Sequence, residues 1–230
     1  MSSNLKVRKS EFIPAKESAW FIALFDGYVR TLFWRRFGRV WLHQKYQPAK
    51  GSKTIYYLNH SSWWDGLIPF LLNQKVFGQN ARAMMEDRQM KQHSFFKKIG
   101  AFSVNLENPR SAVQSLRYAV ESFDRPNSSL FIYPEGKIVP FSTDKPTFRK
   151  GLAWIAQKCP EVDVVPVGIY LSTARSDKPE LHLSVGEKLK VDPSADHDEL
   201  NRHFEEKLSE LLRELVENSH HKSDTFSKLV

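Results

Sequence analysis

Short runs rich in β-branched and aromatic residues recur along this chain, and stretches with helical spacing lie between them. Thr54-Ile55-Tyr56-Tyr57-Leu58 and Ser129-Leu130-Phe131-Ile132-Tyr133 are apolar at odd and even positions alike, as strands covered on both faces are. Strands are expected at 54–59, 81–85, 101–106, 129–133, 162–171 and 180–186, and helices at 62–74, 94–99, 110–123, 149–158 and 197–218. In the last of these Leu200, Phe204, Leu208, Leu211, Leu212 and Leu215 form one stripe bracketed by charges, a face for docking. Such alternation restricts the chain to the α/β class: a mainly parallel central sheet flanked by helices.

With 230 residues, 41% of them hydrophobic, the chain can bury one sizeable core. Its only cysteine, Cys159, excludes a disulfide framework and reads as a small buried hydrophobe. There is no Cys/His cluster with zinc spacing, no Gly-rich phosphate loop and no G-x-S-x-G elbow, so no metal site is expected. Three parts are expected: a basic amphipathic arm at 1–47, an α/β domain at 48–219 beginning with the linker 48–52, and a flexible tail at 220–230.

The net charge of +8 is unevenly placed. Residues 1–50 hold ten Lys/Arg against three acids, which is +7 and leaves about +1 for the rest. From Trp20 to Trp41 apolar residues recur at three and four, predicting an N-terminal amphipathic helix bent near Gly38. Its apolar run before Asp26 is far short of the ~20 residues that span a bilayer. Aromatics on one face and arginines on the other suit a helix in the lipid headgroup region or one packed on its own domain. The expected partner of 17–45 is therefore an anionic membrane surface, with a peripheral position on the cytoplasmic, inner face. The aromatics do not interleave with the basic residues, so nucleic acid is not expected.

Candidate chemistry lies in two loops. His60 follows the first apolar run and Asp65 comes five residues later, within Asn59-His60-Ser61-Ser62-Trp63-Trp64-Asp65. Residues five apart on a continuous helix stand about 140° apart, so the two can face each other only if one lies off the helix. His60 in the turn and Asp65 in the first helical turn meet that condition. Asp65 would then fix the imidazole tautomer and leave the other nitrogen free as a base. Ser62 to Asp65 also has the form of a capping box, and the two readings are compatible. The second loop, Tyr133-Pro134-Glu135-Gly136, ends another strand, where ligands of open α/β sheets gather; a plain Pro-Glu-Gly turn is the simpler reading.

Together these segments resemble the glycerolipid acyltransferase family that includes 1-acylglycerol-3-phosphate acyltransferases. Asn59 to Asp65 matches its NHxxxxD motif, Tyr133 to Gly136 its (F/Y)PEG motif, and Val165-Pro166-Val167-Gly168-Ile169 looks like its late Val-Pro-Val segment, over roughly 50–190. The resemblance implies an O-acyltransferase of phospholipid biosynthesis that moves a fatty acyl group to the free hydroxyl of a lysolipid. His60 would be the general base and Asp65 its orienter, with no acyl-enzyme. Glu135 and Gly136 would position the acceptor, and Pro166 would help shape the acyl-donor site. No cofactor is implied, the co-substrate being an acyl-CoA or acyl-carrier-protein thioester.

Two departures bear on the acceptor. Leu106 stands where the family commonly has an arginine, and Lys137-Ile138 replaces Thr-Arg after the glycine. Both places are associated with the acceptor's phosphate, and leucine or isoleucine cannot replace a bidentate guanidinium. Lys137 and Arg110 are the candidates to supply that charge, while Arg149 and Lys150 read as solvated surface cations. The expected acceptor is 1-acylglycerol-3-phosphate, with an amino-acid lipid or a glycosylated isoprenoid as the alternative. A metal-dependent hydrolase on His60, Asp65 and Glu135 and a non-catalytic membrane-surface scaffold are the other classes.

Overall fold

The computed structural model describes residues 12–221 and 225–230; the first part of the expected arm and residues 222–224 lie outside the described residues. Strand β2 (Thr54–Leu58) shows how the apolar runs become layers. Successive side chains leave a strand on opposite sides. Ile55 and Tyr57 accordingly enter one core and Tyr56 and Leu58 the other, all fully buried.

Around β2 the sheet grows mostly in parallel. β5 (Ser128–Ile132) and β6 (Asp163–Ser172) flank it, and β3 (Asn80–Glu86) and β4 (Ala101–Val104) extend the sheet beyond β5. β7 (Glu180–Val185) returns antiparallel on β6, β1 (Arg39–Gln44) lies parallel to β7, and β8 (Ser227–Lys228) runs antiparallel along β1. The order is β4-β3-β5-β2-β6-β7-β1-β8, and five of its seven pairings are parallel.

Helices cover both faces. One core holds α1 (Ala19–Arg36), α2 (Ile68–Leu72) and Met90 of α3 (Asp87–Gln92). The other is built against α4 (Pro109–Glu121), α5 (Gly151–Lys158) and α6 (His197–His221). The expected stripe of α6 is buried throughout, and at Gly168 a Cβ would come within 3.1 Å of Leu215, so β6 and α6 approach closely there. The α/β class and its parallel sheet are as the alternation predicts.

Three local expectations are corrected. The N-terminal helix stops at Arg36 rather than reaching Trp41, and Phe37 is already extended (φ −108°, ψ 144°). The N–H of Gly38 donates to Pro179 O at 2.9 Å, which starts a ladder along β7, and Val40 and Leu42 are buried on alternate positions. A free strand edge thus overrides the helical spacing. Because β1 belongs to the same sheet as β2, the expected arm and the α/β domain share one layer.

The expected helix at 62–74 is three pieces: a 3₁₀ turn at Trp63–Leu67, α2, and a wide π turn at Asn73–Phe77. Pro69 explains the first break. It has no N–H to give the carbonyl of Asp65, four residues back, so the α-helix begins only where the proline falls in its first turn. The expected flexible tail contains β8, and Leu229 N–H donates to Val40 O at 2.8 Å.

Helix α1 also divides its apolar residues between two sides. Phe25, Val29 and Phe33 face the core, whereas Trp20 (67% exposed), Leu24 (65%), Tyr28 (57%) and Trp34 (71%) face outward. No helix among the described residues is long and apolar enough to cross a membrane.

Candidate active site

At the carboxyl end of β2 the chain turns through Asn59 and His60. Buried Asn59 bonds the main chain of Ile169 in β6 and so anchors the turn beyond the last ladder bond. His60 N–H donates to Glu135 Oε2 at 3.2 Å, and its carbonyl accepts from Val139 N–H at 2.9 Å. The His60 backbone is held on both sides by the second loop.

The His60 Nδ1 lies 3.1 Å from Asp65 Oδ2. That oxygen also accepts from the N–H groups of Ser61 (2.6 Å) and Ser62 (2.7 Å), while Oδ1 accepts from Ser62 Oγ at 2.6 Å. The capping box and the histidine contact therefore coexist on one carboxylate, which is buried to 1% exposure. An ionised carboxylate only accepts, so this arrangement suits a proton on Nδ1 and leaves Nε2 with a free lone pair. The imidazole stays 20% exposed, within reach of a ligand.

Tyr133 closes the other side. Its ring lies against the His60 ring, centroids 4.4 Å apart at 32°, and its hydroxyl donates to Asp65 O at 2.5 Å. Burial, with Asp65 adding to it, pushes the phenol well above its usual range. Glu135 is half-buried, and desolvation raises its carboxyl above the ordinary value against the opposing pull of the His60 N–H and Lys137. Gly136 holds φ +69°, a left-handed conformation that favours glycine, and a Cβ there would stand 2.7 Å from Arg149 Nε and 3.1 Å from Leu106.

A cavity of about 560 Å³ opens beside these loops. Its mouth carries His60, Trp63, Gly136, Lys137, Ile138 and Arg149, and its walls include Met84, Met85, Leu106, Leu116, Phe131 and Leu152. It follows β3 down to Asn80, Arg82 and Arg125, where Glu17 accepts from Arg82 Nε (3.0 Å) and Arg125 Nη1 (3.1 Å). Strand register sets Arg82 level with Leu130 and Ile55, five residues below His60, so the cavity descends about 17 Å along the sheet. A channel with apolar upper walls and a charged floor, opening below a His–Asp pair, can hold a hydrocarbon chain with its polar end at the imidazole.

Of the residues expected in the site, His60, Asp65, Glu135, Gly136 and Lys137 come together. Arg110 and Pro166 do not. Helix α4 turns Ala112 and Leu116 to the cavity, while Arg110 lines a separate depression with Arg117 and Glu121. Pro166 is buried inside β6, level with Tyr57, and its ring sits under Gly186. Lys150 is a surface cation paired with Asp198, as expected, but Arg149 lines the mouth with no carboxylate partner among the described residues. Sequence reasoning weighed Arg149 and read it as a surface cation, and it gave no role to Asn59 and Tyr133, which lay inside the motifs but have their partners 110 and 68 residues away. Among the described residues no three His, Cys, Asp or Glu side chains converge to hold a metal ion.

Comparison with known proteins bears on the fold and the family. No curated protein matches the chain. Among solved structures it resembles the crystal structure of the 1-acyl-sn-glycerophosphate (LPA) acyltransferase PlsC from Thermotoga maritima, with a TM-score of 0.61 over 85% of this chain and 80% of that one. Sequence identity is 20%, so the likeness is one of fold. A family model described as Acyltransferase matches residues 39–170, more than half of the chain and both motif loops. The chain belongs to the acyltransferase family.

Proposed function

We propose that this acyltransferase moves a fatty acyl group from an acyl thioester to the free hydroxyl of a lysolipid, 1-acylglycerol-3-phosphate being the leading acceptor. The observation that carries the reading is the His60–Asp65 contact of 3.1 Å at the mouth of a deep cavity with apolar upper walls. Nε2 of His60 takes the hydroxyl proton as the oxygen attacks the thioester carbonyl; the C–O bond forms, the C–S bond breaks, and the departing thiolate takes the proton back from the imidazolium. Asp65 holds the ring and offsets the charge that develops on it. No enzyme nucleophile is needed, and Cys159 suits none: it is buried at the end of α5, with its thiol pushed up to about 11 by burial.

The donor is a coenzyme A or carrier-protein thioester, and no further cofactor takes part. Glu135 and Gly136 shape the acceptor side, with Lys137 and Arg149 supplying positive charge at the mouth. A non-phosphate acceptor is the second reading, favoured by Ile138 at the same mouth and Leu106 in the wall beneath it. The outward aromatics of α1, with Arg35 and Arg36 in its last turn, suit an anionic bilayer surface on the inner, cytoplasmic side from which a lysolipid can enter.

Acyl transfer from a labelled thioester to a panel of lysolipids, with wild type and His60→Ala in parallel, tests the reading. Transfer to the phosphate acceptor that disappears in the variant supports it. Transfer only to another lysolipid moves the substrate, and no transfer to any acceptor overturns it.

A further inference from the structure

We propose that Tyr133 is a positioning residue that locks His60 and Asp65 into one reactive arrangement, its ring fixing the imidazole and its hydroxyl fixing the Asp65 main chain. The proposal rests on the reading of His60 as the base.

The contact between Nδ1 and Oδ2 is a single pivot, and one hydrogen bond does not stop an imidazole from swinging about it. A ring 4.4 Å away at 32° does, because rotation of the imidazole would drive its atoms into the phenol face. Tyr133 is itself tied down: it directly follows β5, its hydroxyl is bonded, and Gly136 N–H donates to its carbonyl at 3.0 Å.

The hydroxyl has a second task, set by Pro69. The Asp65 carbonyl is the one that an N–H at position 69 would meet in an α-helix, and proline has none. Ile68 N–H reaches that carbonyl from the 3₁₀ turn, and the Tyr133 hydroxyl takes its other side. The main chain of the carboxylate partner is thus held by the same side chain that stacks on the base. An oxygen bonded on two sides keeps the Asp65 backbone still while Ser61 and Ser62 hold its carboxylate. A pair built in this way is set for proton transfer before substrate enters.

Steady-state kinetics of Tyr133→Phe and Tyr133→Leu beside His60→Ala test this, together with ¹⁵N spectra of the His60 ring. Tyr133→Leu should lower kcat on the order of 100-fold with both KM values within about twofold, the signature of lost alignment rather than lost binding. Tyr133→Phe keeps the ring and loses one hydrogen bond, so its kcat should fall only about fivefold. The ring spectra should show one tautomer in wild type and Tyr133→Phe and a mixture in Tyr133→Leu.

Wild-type kcat in Tyr133→Leu, or a loss carried by KM, overturns the proposal. If Tyr133→Leu does not fold, the fivefold loss in Tyr133→Phe at unchanged KM decides, and its absence overturns the proposal equally. Full activity in His60→Ala would instead sink the reading of the base. An inactive His60→Ala beside a fully active Tyr133→Leu sinks the positioning role alone.

Discussion

Asn59 bonds both main-chain groups of Ile169, its Nδ2 donating to the carbonyl at 2.9 Å and its Oδ1 accepting from the N–H at 2.8 Å. This pair extends the β2–β6 ladder by one rung made of a side chain, at the point where the backbone leaves the sheet to present His60. Asn59→Ala leaves both Ile169 groups unpaired in a buried place, and should cost about 3 kcal/mol in urea unfolding. It should also lower kcat, because the turn that carries the imidazole is released.

His60 and Asp65 separate by what else they hold. His60→Ala should reduce kcat by about 10³-fold, within the range of a lost general base, and leave the unfolding midpoint unchanged or raised. Asp65→Asn should lower kcat too, and in addition lose about 1 kcal/mol of stability, since the amide cannot replace a carboxylate that accepts two N–H groups and a hydroxyl. Paired kinetics and urea titrations check both.

Gly136→Ala places a Cβ on a residue at φ +69° and against Arg149 and Leu106. The backbone strain should cost about 1–2 kcal/mol. The displaced guanidinium should raise KM for a phosphate-bearing acceptor more than for a neutral one. Equal KM changes for the two acceptors would remove Arg149 from recognition.

The central strands were legible because burial on both faces leaves continuous apolar runs, and Ile55 through Leu58 could be little else. The His60–Asp65 pair was legible because a strand end before a helical run forces the turn that brings them together. β1 was not. Val40 and Trp41 continue the helical spacing of Phe33 and Phe37, and only the edge of β7, far along the chain, reveals that Val40 and Leu42 are the buried, alternating positions. Arg110 was expected in the site from its position along the chain and Pro166 from its likeness to a family segment, yet direction decides: α4 turns Arg110 away, and Pro166 sits inside the sheet rather than at its end. Tyr133 carried the right letter for its motif, but nothing in one dimension says which ring a phenol will touch.

His182 makes stability depend on pH. It is 4% exposed, and burial depresses its pKa from 6.5 to about 4, the neighbouring Glu180 pulling the other way. As pH falls below 6.5 the unfolded chain takes up the proton before the folded one. This contribution is therefore complete above pH 6.5, is lost between 6.5 and 4, and amounts to about 3 kcal/mol at most. Urea unfolding at pH 7.5 and pH 4.5 should show a smaller difference in His182→Leu than in wild type; equal differences would exclude the residue.

The two sides of α1 should answer to different measurements. Phe33→Ala empties a fully buried position, and about 3–5 kcal/mol of unfolding free energy should go with it. Changing Trp20, Leu24 and Tyr28 together to serine should leave unfolding nearly unaltered and weaken sedimentation with anionic vesicles. Unchanged vesicle binding would remove the outer face of α1 from the membrane.

The parallel pairing of β1 with β7 also sets an order of events during synthesis. Arg39 waits for Glu180, 141 residues later, before its strand has the neighbour that holds it in the sheet. At ribosomal speeds of roughly 5–20 residues per second that delay is on the order of ten seconds. Through it α1 is tethered to an unplaced strand, with aromatics on its core-facing side as well as its outer one. The nascent chain therefore carries an aromatic, unburied handle until β7 emerges, well after His60 and Asp65 have been made.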